Sequence, residues 1–386
     1  MPSRLAQRVA HLPPYPFAGL EKRVAEMTAA GKDVIRLDIG SPDQPPAPNI
    51  IRALYQSAQD PTHHGYAGFF GLPAFRRAIA DYYLRRFDVQ LDPRSKVLPL
   101  IGSKEGIFNL ALAYVDPGDA VLVPDPGYPT YTSGTLLAGG QVCHVPLIEE
   151  RGWLPDFSAI SSADCRRAKI LWLNYPNNPT TATASLDFFA EAVAFARQND
   201  VLLVHDNPYC DICFDGYVAP SLLQVPGAID VAIEFNSLSK TYNMGGWRVG
   251  MAVGNPEVIE VLSRLKTNID SGIFRAVQDA SVEALAGDQE WLSQRNDTYA
   301  RRRDIVLKAL PSAGMSANTP KSTIYIWARI PSGFVSADFC SQLLDKAYVS
   351  ITPGAVFGQQ GEGFARISLG QTTERVAEAM ERLKNF

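Results

Sequence analysis

Between residues 97 and 253 the chain alternates short apolar runs with segments of helical period. VLPLI (97–101), AVLV (120–123), ILWL (170–173), VLLV (201–204) and VAIEF (231–235) are almost uninterrupted by polar residues. Such runs read as strands buried on both faces, the signature of parallel strands whose crossover helices cover the sheet on each side. After the first run, GSKEG (102–106) opens a segment with Ile107, Leu110, Ala111 and Tyr114 at i, i+3, i+4 and i+7, the spacing of a helix face. Residues 187–198 read as another helix. The expected architecture is therefore α/β, with a mostly parallel sheet covered by helices. Open sheets of this kind bind ligands beyond the carboxyl ends of their strands. The polar residues cluster at those ends: Gly102, Ser103 and Lys104, then Tyr128, Asn174 and Asn178, Asp206 and Tyr209, and Lys240.

The flanks read differently. Residues 1–48 form a proline-rich arm with one helix-like stretch (17–30) and a turn, LDIGSPD, at 37–43. Helices are expected at 49–58 and 72–87, and Ser103 is a candidate N-cap for the helix after GSKEG. Beyond residue 256 the pattern turns helical. Strands are then expected at 324–329 and 364–369, with a closing helix at 374–383 capped by Thr372 or Thr373. The run Arg301, Arg302, Arg303 reads as a solvated helix face. At 386 residues two domains are expected. We divide the chain into an N-terminal arm belonging to the smaller domain (1–48), a large domain (49–275) and a small α+β domain (276–386).

Several functions are disfavoured. A net charge of −4 gives no basic footprint for nucleic acid. There is no apolar run long enough for a membrane span and no signal-peptide core at the start, so a cytoplasmic protein is expected. Five scattered cysteines suit free thiols, and the pair Cys210 and Cys213 reads as small packing residues. His63 and His64 lie in a glycine-spaced aromatic loop, HHGYAGFFG, and read as solvated; no metal site is expected. That loop is not preceded by a strand, which argues against a dinucleotide fingerprint.

The stretch NSLSKTYNMGGWRVG (236–250) carries the chemistry. Lys240 stands between hydroxyl residues, Ser237 and Ser239 among them. Arg248 follows with a planar guanidinium suited to phosphate. A helix starting at GSKEG offers free backbone amides to the same anion. An amine beside phosphate-binding groups suggests imine chemistry with a phosphorylated aldehyde, of which pyridoxal 5'-phosphate is the obvious case.

LDIGSPD, GSKEG, DPGYP, NYPNNPT, DNPY, NSLSKTYNMGGWRVG and FARISLG occur in this order from residue 37 to 370. In this the chain resembles the class I/II aminotransferases, pyridoxal phosphate enzymes of fold type I, over nearly its whole length. The resemblance implies a seven-stranded large domain and a homodimer with shared active sites. It implies an amino group passed from an L-amino acid to a 2-oxo acid, such as 2-oxoglutarate or pyruvate, by a ping-pong route. Lys240 would bind the coenzyme as an imine and then shuttle the substrate α-proton. Asp206 would face the pyridine nitrogen. Asn178 and Tyr209 would bond the phenolic oxygen, and Tyr128 would stack on the ring. Gly102, Ser103, Lys104, Ser237, Ser239 and Arg248 would hold the phosphate, with Tyr66 reaching it from the neighbouring subunit. Arg366 would clamp the substrate α-carboxylate, assisted by Gly40 and Asn178, with Asn174 nearby. LPPYPFAGL and GSKEG look like the LL-diaminopimelate aminotransferase branch, which overlaps with aspartate and alanine enzymes; its tyrosine matches Tyr15, against the substrate side chain. Pro16 and Gly19 depart from that branch, which usually has a bulky apolar and an acidic residue there. Arg23 and Arg275 are candidates by position for a second substrate carboxylate. Two other readings share the scaffold or the cofactor: a carbon–sulfur β-lyase or cyclopropane-forming synthase, and a pyridoxal phosphate-binding regulator. The second would need a DNA-binding domain before the LDIGSPD turn, where no helix-turn-helix fits.

Overall fold

Among the described residues, twelve strand segments organise the fold: β1 (Ile35–Arg36), β2 (Val97–Leu100), β3 (Ala120–Asp125), β4 (Gln141–Pro146), β5 (Ala168–Leu173), β6 (Leu202–Asp206), β7 (Ala232–Ser237), β8 (Gly250–Gly254), β9 (Tyr325–Arg329), β10 (Val349–Ser350), β11 (Thr352–Pro353) and β12 (Phe364–Ser368). The structure is a computed structural model that describes residues 5–10 and 12–386; residues 1–4 and His11, within the expected N-terminal arm, lie outside it. The large sheet has seven strands in the order β2-β8-β7-β6-β5-β3-β4. β3 to β7 run parallel to one another, while β8 is antiparallel to both β7 and β2. β8 is thus the one reversed strand of this sheet.

Alternate residues of the apolar runs enter two different cores. Ile170 and Trp172 pack with Ile107, Leu110, Val258 and Leu262, under helices Ser103–Tyr114 and Pro256–Lys266. Leu171 and Leu173 pack with Phe75, Tyr83 and Phe189, under helices Pro73–Phe87 and Leu186–Asn199. Burial on both faces is why these strands are apolar throughout.

The remaining strands form a second body. β11-β12-β9 is an antiparallel sheet, and β1 pairs in parallel with β10. Ile35 and Leu37 pack in the core that this part builds with helices Glu290–Ala309, Ser336–Ala347 and Thr373–Lys384. Thr372 caps the last of these through the Arg375 amide, as expected.

Two expectations need correction. Ser103 is not the N-cap: Gly102 holds that position without a side-chain bond, and Ser103 is already the first helical residue. Glu105 compensates by reaching back to the Ile101 amide. The arginine run is also not a solvated face. Arg301 is exposed, but Arg302 and Arg303 are buried. Arg302 forks onto Asp43 at 2.7 and 2.9 Å and donates to the Leu369 carbonyl at 3.0 Å. Arg303 pairs with Asp215 and with the Pro320 carbonyl. No described helix is long and apolar enough to cross a membrane.

Candidate active site

A cleft of about 350 Å³ opens along the carboxyl ends of β2, β5, β6 and β7, within the usual range of about 300–1,000 Å³ for ligand pockets. Because β8 is reversed, its amino end lies at this same sheet edge, so Arg248 enters the cleft although it precedes its strand.

β7 ends at Ser237 and turns at once into the short helix Leu238–Thr241, which carries Lys240. Ser237 caps that helix, its hydroxyl accepting from the Ser239 amide at 3.1 Å. The Lys240 ammonium donates to the Gly40 carbonyl. Burial lowers the Lys240 pKa, and the charges of Arg366 and Arg248 push the same way against Tyr325. Behind the lysine, the guanidinium of fully buried Arg295 donates to the Lys240 carbonyl at 3.3 Å, the Asp211 carbonyl at 2.8 Å and the Thr241 carbonyl. The long helix Glu290–Ala309 thereby fixes the backbone on which the amine stands.

Asp206 closes β6 and is buried. Its Oδ2 accepts from the Tyr131 hydroxyl at 2.7 Å. Its Oδ1 is buried with no partner. Burial pushes its pKa up to about 6, opposed by the Tyr131 hydrogen bond and the charge of His205. Tyr131 is held by a stack on Trp172, with ring centroids 4.6 Å apart and planes 11° from parallel. A buried carboxylate oxygen without a donor is costly and calls for explanation. A protonated pyridine nitrogen is the donor it lacks.

With Lys240, the hydroxyl residues Ser103, Ser237 and Ser239 and the guanidinium of Arg248 line the cleft. Gly102 makes the approach possible. Its φ is +76°, and a Cβ there would lie 2.3 Å from Arg248 Nη2. The helix Ser103–Tyr114 starts at this point, so its free amides add to an anion site. Lys104 lines the cleft too, but its ammonium lies 5.2 Å from the centre of the Tyr15 ring.

On β12, Arg366 is buried, and no carboxylate partners it among the described residues. Nη1 donates to Asn178 Oδ1 at 2.8 Å and Nη2 to the Asp38 carbonyl at 2.9 Å, while Nε has no partner. Its guanidinium lies over the rings of Tyr325 at 4.3 Å and Phe357 at 4.7 Å. Buried charges are normally paired, so a guanidinium held only by neutral acceptors is available to an incoming anion. Tyr325 also meets Tyr209, hydroxyl to hydroxyl, at 3.1 Å. It stands where a Cβ on Gly40 would fall, 2.1 Å from its oxygen.

Of the residues expected in the site, Tyr15, Gly40, Ser103, Lys104, Tyr128, Asn174, Asn178, Asp206, Tyr209, Ser237, Ser239, Lys240, Arg248 and Arg366 all line this one cleft. Tyr128 is half-buried, edge-on to Tyr131. Asn174 is committed internally, donating to the Asp206 carbonyl at 2.7 Å and accepting from the Asn178 amide at 2.8 Å. Tyr66 lies outside its own chain's cleft and is 91% exposed. Arg23 is drawn away to Ser341 and Asp345, and Arg275 lies beside Asp279; neither lines the cleft. Sequence reading missed Phe17, Glu21, Asp38, Tyr131, Arg295 and Tyr325. Three of these had a signal: Phe17 and Asp38 lie inside LPPYPFAGL and LDIGSPD, and Tyr131 stands three residues beyond Tyr128 on the same turn.

Comparison with known proteins bears on this constellation directly. The family model for aminotransferase class I and II matches residues 32–383. The LL-diaminopimelate aminotransferase of Moorella thermoacetica is 52% identical over 379 residues, covering 98% of this chain and 97% of the relative. That of Aquifex aeolicus is 48% identical, covering 99% and 98%. Among solved structures, substrate-bound BacF from Bacillus subtilis superposes with a TM-score of 0.96 at 36% identity, covering 99% of this chain and 98% of that one. Thermus thermophilus aspartate aminotransferase with maleate gives 0.92 at 28%, covering 99% of each. A lysine at the sheet edge, a buried carboxylate with one bare oxygen and an unpaired buried arginine thus stand in a chain that is a pyridoxal phosphate-dependent aminotransferase, and it belongs to the class I and II family.

Proposed function

We propose that the enzyme takes LL-diaminopimelate as amino donor and a 2-oxo acid, 2-oxoglutarate or pyruvate, as acceptor, by a ping-pong route. The names of its relatives support the donor. The observation that carries the placement of the chemistry is the bare Oδ1 of Asp206 in the same cleft as Lys240 and Arg366.

When bound, pyridoxal phosphate supplies an electrophilic carbon and a ring that accepts the electron pair left by α-proton loss. Asp206 Oδ1 would hold the proton at the ring nitrogen. Tyr128 would pack on the ring, and Asn178 and Tyr209 would bond its phenolic oxygen. Arg248, Ser103, Ser237 and Ser239 would hold the phosphate, next to the backbone of Gly102, while the Lys104 ammonium stands over the Tyr15 ring. Arg366 orients the donor by its α-carboxylate, backed by Asn178, with the Gly40 backbone close by. Lys240 Nζ takes the α-proton and returns it; its lowered pKa leaves more of the amine unprotonated and able to act as a base.

We assign the chain to a homodimer in which Tyr66 serves the phosphate site of a second copy. Tyr66, Phe69 and Phe70 are exposed on one loop, whose His64 ring lies 5.9 Å from that of exposed Phe274, and exposed apolar surface of this kind marks a contact face. The assignment of residues 1–48 to the smaller domain, with 49–275 and 276–386 as the two domains, is supported by the pairing of β1 with β10. A cytoplasmic location completes the proposal.

The test is a panel of L-amino acids assayed with 2-oxoglutarate and pyruvate. LL-diaminopimelate should give the highest kcat/KM. A higher value for aspartate or alanine would overturn the donor assignment. Release of pyruvate and sulfide from cystathionine in place of amino transfer would point to the lyase reading.

A further inference from the structure

Three carboxylates line the cleft, and two of them are committed. Asp206 is held by Tyr131. Asp38 is gripped by Arg36 through both oxygens, at 2.8 and 2.6 Å. The third, Glu21, stands in the first turn of helix Ala18–Ala29, and its carboxylate has no hydrogen bond or ion pair among the described residues. Its charge is felt at the Tyr15 hydroxyl and at Arg36.

The aromatic residues give the cleft a direction. The Arg366 guanidinium lies 5.8 Å from the centre of the Phe17 ring, and the Phe17 and Tyr15 rings are 5.4 Å apart. A donor anchored on Arg366 by its α-carboxylate can therefore run over Phe17 and Tyr15 towards Glu21. We propose that Glu21 accepts hydrogen bonds from an ammonium group at the far end of the donor's side chain, making it a specificity-determining residue for diamino acids. The inference rests on the diaminopimelate reading above and names the group that reads its distal amine.

Chemistry favours this use. Glu21 is exposed in the free enzyme, so its field is screened by solvent and salt. A donor lying across it displaces that water and supplies a direct ionic partner, which Arg36, committed to Asp38, does not provide. A donor without the distal amine leaves the carboxylate unpaired, which adds selection against the wrong partner. Lys104, over the Tyr15 ring, is a cation on the same stretch. A distal carboxylate alone therefore does not report on Glu21, and the comparison has to isolate the amine.

The experiment compares LL-diaminopimelate with L-2-aminopimelate, which keeps the distal carboxylate and lacks the distal amine, on the native enzyme, Glu21→Gln and Glu21→Asp. Glu21→Gln should lower kcat/KM for LL-diaminopimelate about tenfold, the scale of one charge-assisted hydrogen bond. The loss should fall in KM, with kcat nearly unchanged and L-2-aminopimelate unaffected. Glu21→Asp should recover part of the preference. An unchanged ratio between the two donors in Glu21→Gln would overturn the assignment of Glu21 alone. Turnover of L-alanine or L-glutamate with neither of these donors accepted would overturn the diaminopimelate reading, and the Glu21 assignment with it.

Discussion

At the residue scale, Asp206 is a buried carboxylate under electrostatic tension. Its pKa stands at about 6 against an ordinary 3.8 because burial disfavours the anion. Raised in the folded state, such a group favours folding below about pH 4 and loses that contribution as pH rises through its folded pKa. Above pH 6 the shift corresponds to about 3 kcal/mol of lost stability in the coenzyme-free protein. Asp206→Asn removes the charge while keeping the shape. The coenzyme-free variant should be about 2–3 kcal/mol more stable than the native chain at pH 7.5, with the gap closing towards pH 4, and it should lose amino transfer. Urea unfolding at the two pH values checks this; a variant less stable at pH 7.5 would contradict the tension assigned to the bare oxygen. Lys240 and Asp206 were legible because each stands at the end of an apolar run, and Arg248 and Arg366 because each lies in a distinctive string, NSLSKTYNMGGWRVG and FARISLG. Tyr131, despite its place beside Tyr128, was not picked out, and neither were Tyr325 and Glu21. Their parts depend on which way a side chain turns across a turn, a second sheet or a helix start, and one-dimensional spacing does not carry that.

At the scale of elements, the buried strands were plain from their unbroken apolar runs, and the helices expected at 17–30, 49–58, 72–87, 187–198 and 374–383 ended within a residue of expectation. The long helix Glu290–Ala309 shows where the reading failed and why. Three consecutive arginines span most of a helical turn, so they cannot share one face. Arg301 meets solvent, while Arg302 and Arg303 turn inward to carboxylates far away in sequence, Asp43 and Asp215. Charge alone says nothing of such distant partners. Arg302→Met should therefore cost about 3 kcal/mol of stability, since it strands the Asp43 carboxylate, which is largely buried. Arg301→Met should stay within about 0.5 kcal/mol. Denaturant midpoints compared at equal slope decide between them. Similar midpoints for the two variants would return the run to a solvated face.

For the whole molecule, the site exists because two bodies meet. Lys240, Asp206 and Arg248 come from the edge of the seven-stranded sheet, while Arg366 and Tyr325 come from the antiparallel sheet of β9, β11 and β12. Gly40, on the segment after β1, closes the gap by accepting from the lysine. The change of pattern beyond residue 256 pointed to the strands of the antiparallel sheet, but the reversal of β8, which carries Arg248 to the cleft, has no signature in hydrophobic pattern. Everything converges on the amine of Lys240. The most direct test is to reduce the pyridoxal phosphate-loaded protein with borohydride and map the modified peptide by mass spectrometry. A phosphopyridoxyl group on Lys240, and none there in Lys240→Ala, is the predicted result; an unmodified Lys240, with label on another lysine or on none, would contradict the account.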